Sequence, residues 1–201
     1  MFHLLDDSAD IKRALQRVGE LLDATGESFA IIIVGGAALN LLNVVSRATR
    51  DVDIVAFATR RARSWRPMEA PAVLPPPLAL AVTTVARDLN LVPTWLNTGP
   101  QMQWRSGLPR GFAGRVRWRR YGALHVGLAG RFDLIALKLF AATDADGPAG
   151  GRHTKDLLAL DPTDAELARA ARWVKGQDAG QLFPRHVDEV VERIRANRHQ
   201  R

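Results

Sequence analysis

Residues 29–57, FAIIIVGGAALNLLNVVSRATRDVDIVAF, constrain the fold more than any other stretch of the chain. The run Ile31-Ile32-Ile33-Val34 is continuously β-branched, the pattern of a strand buried on both faces, and it stops at Gly35-Gly36. Ala37, Ala38, Leu39, Leu41 and Leu42 are good helix formers, so a helix is expected at once. A glycine pair ahead of a helix lets backbone N–H groups approach a phosphate where the helix dipole favours an anion. From Asp51 onward, Asp51-Val52-Asp53-Ile54-Val55 alternates polar and apolar residues, which predicts a strand. Asp51 and Asp53 then share a face, with Cα atoms roughly 6.5–7 Å apart. Two carboxylates on one face repel each other, and a divalent cation with oxygen ligands removes that cost. A D-x-D alone also occurs at the solvent edge of an ordinary strand. The glycine pair and the Arg47-Ala48-Thr49-Arg50 lead-in favour the metal.

The chain has 201 residues, enough for one domain with a real core and a small appendage. It has no cysteine, which excludes disulfides, a thiolate nucleophile and zinc–thiolate sites. No apolar run is long enough to span a bilayer, and the opening MFHLLDDSADIKR is acidic where a signal peptide is basic. A soluble, cytoplasmic protein without membrane contact is expected. The net charge of +7 points to a polyanionic partner. Arginines concentrate in residues 60–66 and 115–121, interleaved with Trp65, Trp118 and Tyr121, and more follow near the C-terminus from Arg193 to Arg201. Such clusters can bind phosphates and stack on bases, or can be a solvated surface.

Residues 8–25 read as an amphipathic helix ending before Gly26, with Ile11, Leu15, Val18, Leu21 and Leu22 on one face. Arg60 to Pro77 is rich in Arg and Pro and reads as a loop, followed by a helix over 78–89. Leu91 to Asn97 reads as a short edge segment packed through Trp95, with Asn97 a candidate pocket residue; Gly99 to Gly114 reads as a loop. Two half-exposed strands are expected over 115–121 and 122–128, turning at Tyr121-Gly122. The helix predicted over 131–142 is apolar nearly all round yet contains Lys138, which needs a partner, a ligand or an exit to solvent. A Gly-rich connector at 147–151 leads into a helical segment that starts near Lys155-Asp156, and Asp156 is the natural acid for Lys138. Thr163 and Glu166 make a capping box after Pro162, and a last helix follows Pro184.

The arrangement of an apolar strand, Gly35-Gly36, a helix and R-x-T-x-D-x-D resembles the minimal nucleotidyltransferase fold of the DNA polymerase β-like superfamily. Within it the chain is most similar to bacterial proteins related to AbiEii-type abortive-infection toxins. Residues 133–142, DLIALKLFAA, resemble that group's "DLIALKLxAA" helix, residues 152–160 resemble its "RxxKDLxDL" segment, and the PTDAEL and ARWV strings continue the likeness to about Trp173. The resemblance implies that Asp51 and Asp53 hold Mg²⁺ or Mn²⁺. It implies that Gly35, Gly36, Arg47, Thr49 and Lys138 position the phosphates of an NTP such as ATP, and that Lys138 and Asp156 join the catalytic set in the same cleft. Many relatives carry a third carboxylate on a later strand. The strand over 123–129 has none, and either His125 or Asp156 could stand in for it.

The expected architecture is therefore α/β (α+β): a short mixed sheet flanked by helices over residues 1–130, the nucleotidyltransferase core, and a C-terminal helical subdomain over 131–201. The expected activity is transfer of a nucleoside monophosphate from an NTP to an RNA (tRNA included), protein or small-molecule acceptor, with a place in a toxin–antitoxin pair. A catalytically degenerate nucleotide- or partner-binding protein, with an antitoxin or another protein as its partner, is the alternative. An RNA-binding module without chemistry is the third.

Overall fold

Asp7 opens the chain's first helix, its carboxylate accepting the N–H groups of Ala9 at 2.7 Å and Asp10 at 3.0 Å. Those two hydrogen bonds hold the Asp7 carboxyl below the ordinary aspartate range. The computed structural model describes residues 2–62, 64–147, 150–177 and 180–199; Arg63 and Arg201 of the arginine clusters, and Pro148 and Ala149 of the connector, lie outside the described residues. The chain divides into two units, residues 1–129 and 130–201.

The first unit holds helices α1 (Ser8–Ala24), α2 (Gly35–Leu41), α3 (Pro76–Asp88), α4 (Gln101–Ser106) and α5 (Phe112–Arg115). Its strands are β1 (Phe29–Val34), β2 (Val52–Arg61), β3 (Ser64–Glu69), β4 (Leu96–Asn97), β5 (Arg117–Tyr121) and β6 (Leu124–Leu128). They form one mixed sheet in the order β3-β2-β1-β6-β5, with β4 added beside the start of β2. β1 is central, antiparallel to β2 and parallel to β6, which is why its aliphatic run is buried on both faces. The α1 helix ends at Thr25 and Gly26, the latter at φ +71, and buries Ile11, Leu15, Val18 and Leu22 as its apolar period requires.

Two segments read as loops are regular. β2 runs on to Arg61 and pairs with β3 from Ala56↔Glu69 to Arg61↔Ser64. The hairpin escapes detection because β3 is an edge strand exposed along most of its length, so it lacks apolar alternation, and an edge tolerates Pro67. The prolines ahead of residue 78 are part of α3, with Pro76 and Pro77 in its first turn, where a missing N–H costs nothing. Residues 99–114 contain the short helices α4 and α5.

In the second unit, α6 (Arg131–Ala145) packs against α7 (Arg152–Leu160), α8 (Asp164–Lys175) and α9 (Phe183–His199). Three helices around one explain why α6 is apolar nearly all round. The capping box is present: Thr163 Oγ accepts the Glu166 N–H at 3.2 Å, and the Glu166 carboxylate accepts the Thr163 N–H at 2.9 Å. No helix among the described residues is long and apolar enough to cross a membrane.

The seat of α1 is set by a glycine. Gly19 O accepts the Ala123 N–H at 3.2 Å, and a Cβ at position 19 would lie 1.7 Å from the Tyr121 carbonyl oxygen. Ala is the better helix former by about 1 kcal/mol, but the atom it would strike is backbone and cannot swing away. Gly19→Ala should therefore lower stability by about 1–3 kcal/mol or more, read as a lower urea midpoint. An unchanged or higher midpoint would show that α1 is not seated there.

Candidate active site

The glycine pair and the R-x-T-x-D-x-D segment are one contact. Val34 pairs with Asp53 across the β1–β2 ladder. Gly35 follows at φ +73, and a Cβ there would sit 2.6 Å from Asp53 Oδ2. At Gly36 a Cβ would lie 3.1 Å from Arg47 Nη2 and 3.3 Å from Thr49 Oγ1. Glycine is needed at 35 for the left-handed backbone, and the glycine at 36 lets the guanidinium and hydroxyl lie close to the helix.

Asn40, absent from the residues expected at the site, locks this contact. It is 1% exposed; its side-chain amide donates to Gly36 O at 3.2 Å and Arg47 O at 2.9 Å, and its oxygen accepts the Arg47 N–H at 3.3 Å. A buried amide on the apolar face of a predicted helix is the signal that could have found it, since such a group demands partners. Thr49 is 4% exposed, donates its hydroxyl to Asp51 O at 3.2 Å, and exchanges two 2.9 Å backbone hydrogen bonds with Leu5. Its side chain orients the Asp51 backbone. Asp51 precedes β2, and Asp51 and Asp53 are both half-buried.

On the other side of Asp53 stands β4. Trp95 is fully buried, donates its indole N–H to Val82 O at 3.1 Å and accepts the Val52 N–H at its carbonyl at 2.6 Å, so the WLN string is tied to α3 and to β2. Asp53 then pairs with Asn97. The Asn97 oxygen accepts the Gly99 N–H at 2.8 Å, which turns its amide nitrogen towards Asp53 Oδ1, 3.5 Å away. Asp53 is flanked by Gly35 and by Asn97, and Asn97 is a pocket residue by position.

The place for a third carboxylate holds an alanine. Cross-strand partners share a face, and the β1–β6 register that reaches Ile33↔Leu128, with the Ala129 N–H donating to Ile33 O at 3.2 Å, sets buried Ala129 level with Val34 and Asp53. Two residues back on the same face, a Cβ at Gly127 would lie 2.5 Å from Val116 Cγ1 and 3.1 Å from Trp118 Cη2. His125 pairs with Ala30, four positions along β1 from Val34 and thus about 13 Å away. It packs on Trp65, and burial, with help from Arg120 and Arg60, keeps its imidazole below the ordinary histidine range. The register therefore puts His125, one of the two candidates for the missing carboxylate's role, out of reach of Asp53. Among the described residues, no three His, Cys, Asp or Glu side chains gather in a metal-binding cluster.

Lys138 and Asp156 meet within the second unit, with Nζ to Oδ2 at 2.6 Å and side chains 7% and 2% exposed. The connector builds this pair. Asp146, after the end of α6, accepts the Thr154 N–H at 2.7 Å and its hydroxyl at 2.8 Å, which caps α7 two residues before Asp156. Burial raises the Asp146 carboxyl, and the Thr154 hydrogen bonds outweigh that and hold it below the ordinary range. A Cβ at Gly151 would be 2.3 Å from Asp146 Oδ1, so the connector's glycine lets that carboxylate close in. His153 is kept neutral-favouring by burial and then by the Lys138 charge.

A strand that breaks at two glycines against R-x-T-x-D-x-D, in a mixed sheet with flanking helices, defines a nucleotidyltransferase core. Residues 10–148 match the family described as "Nucleotidyltransferase of unknown function (DUF6036)", and the chain belongs to that family. The match spans Asp51, Asp53 and Lys138 and ends before Asp156. Comparison with curated proteins and with solved structures finds no match to either.

The buried pair changes what substitutions should do. Lys138→Ala removes a buried side chain and takes the ion-pair partner from the Asp156 carboxylate, so stability falls along with any function. Asp156→Ala strands the ammonium and should cost about 3–5 kcal/mol, whereas the double change Lys138→Met with Asp156→Leu should be near neutral or stabilising. Urea denaturation of the full chain measures both. A double variant as unstable as Asp156→Ala would contradict the assignment.

Proposed function

We propose that the chain is a metal-dependent nucleotidyltransferase that transfers a nucleoside monophosphate from an NTP to a hydroxyl acceptor on RNA, protein or a small molecule. The reading rests on one observation: Asp53 lies against Gly35 and beside Asn97, with Asp51 two residues before it. Hard oxygen donors on adjoining positions fit Mg²⁺ or Mn²⁺, which is commonly held by one or two carboxylates and substrate phosphates. Such a cation would supply charge neutralisation for the triphosphate and for the departing pyrophosphate. The chain's own part is positional. Asp51 and Asp53 would hold the cation, Thr49 fixes the Asp51 carbonyl, Asn40 fixes the Arg47 backbone, and the Arg47 guanidinium beside Gly36 adds positive charge for phosphate oxygens. The reading asks nothing of Lys138 or Asp156, which are paired with each other. A cytoplasmic toxin–antitoxin role of the AbiEii type is the biological setting that the motif resemblance favours.

A second reading is a nucleotide-binding protein without transferase activity, favoured by an alanine, Ala129, at the β6 position level with Asp53. The two part company in one experiment. Label transfer from an α-labelled NTP to RNA, protein or small-molecule acceptors should require Mg²⁺ or Mn²⁺. It should fall in Asp53→Asn by more than the ~10–100-fold typical of residues one step removed from a metal. Calorimetric NTP binding should lose its metal dependence in the same variant, while thermal stability stays or rises as carboxylate repulsion is relieved. Metal-dependent NTP binding with no transfer to any acceptor would establish the second reading. Equal behaviour of wild type and Asp53→Asn would sink both.

A further inference from the structure

β3 and β5 stand at opposite ends of the strand order, yet Trp65 of β3 stacks on Trp118 of β5 with centroids 4.8 Å apart and planes 27° apart. His125 of β6 lies against Trp65 at 4.8 Å, and the Arg60 guanidinium is 5.9 Å from the Trp65 ring centre. Contact across three intervening strands means that the sheet is curled until its edges meet on one face. Register gives the same face independently: Arg60 pairs with Trp65, Trp118 with Gly127 and Arg120 with His125. The bare Gly127 lets the Trp118 indole lie across β6.

Arg60 and Arg120 are exposed, and Trp65, Trp118 and His125 are half-buried, so the ring cluster is part-exposed beside two guanidinium groups. Residues 60–69 and 115–128 contain a single carboxylate, Glu69, and it is occupied by Arg105. Arg60 and Arg120, one from each arginine cluster and 60 residues apart in sequence, thus share one surface.

We propose that this face binds single-stranded polynucleotide, with bases stacking on the Trp118, Trp65 and His125 rings and phosphates meeting Arg60 and Arg120. Unpaired bases offer the flat faces that such rings take up, and a duplex does not. An acidic peptide would satisfy the arginines and leave the indoles without a partner. The proposal goes beyond the transferase reading and does not depend on the chemistry of Asp51 and Asp53.

The test uses the full chain with short labelled oligouridylate and oligoadenylate, followed by anisotropy and by quenching of tryptophan fluorescence. Trp118→Ala should weaken binding at least about fivefold, the equivalent of one stacked base, while Trp118→Phe retains most of it and guards against misfolding. Arg60→Ala with Arg120→Ala should flatten the salt dependence, by roughly 0.7 in slope for each phosphate no longer neutralised. Asp53→Asn should bind the oligonucleotide as wild type does, so failure of the transferase reading would leave this result standing. Deoxy oligonucleotides report whether the sugar matters. Equal affinity for duplex, displacement by polyglutamate as effective as by oligonucleotide, or wild-type binding by Trp118→Ala would each overturn the proposal.

Discussion

The close approach of a glycine pair to the segment 47–53 is the contact on which the first unit depends. Without side chains at Gly35 and Gly36, Asp53, Arg47 and Thr49 come to within van der Waals distance of a helix start. Everything nearby is arranged to keep that gap closed. Asn40 bonds across it, Leu5 pairs with Thr49 behind it, and Trp95 ties β4 to β2 on its far side. A Cβ at Gly35 would push the Asp53 carboxylate out of place, so local backbone freedom and the candidate chemistry are the same constraint.

The second unit is organised by a charge pair. Lys138 and Asp156 are sealed together between α6 and α7, and such a pair contributes little net stability over an apolar filling. Its consequence is register, because a slip by one turn would leave both charges buried and alone. Asp146 and Thr154 secure the same register from the start of α7.

The sheet carries two features on one face whose separation is set by strand spacing. Asp53 marks one end of β1 and His125 with its tryptophan neighbours the other, about 13 Å along the strand. Membership in a nucleotidyltransferase family fits the first feature. The aromatic and arginine face is a separate feature, formed where Trp65 of the β2–β3 hairpin meets Trp118 of β5.

The sequence by itself determined the elements whose cause is local or periodic. The aliphatic run of β1, the stop at Gly35, the amphipathic period of α1, the capping box of α8 and the apolar girth of α6 follow from residue type and spacing, and the structure has all of them. The pairing of Lys138 with Asp156 was also legible, since a lone charge on an apolar helix demands an opposite one nearby. Only the tertiary structure decided the rest. The β2–β3 hairpin was hidden because an exposed edge strand has no apolar alternation to read. The role of Asn40 was hidden because its partners are backbone groups, which no side-chain pattern reports. The place of His125 relative to Asp53 depends on strand register, and the meeting of Trp65 with Trp118 on sheet curvature. Both are sums of small twists over several strands, and no single residue carries them.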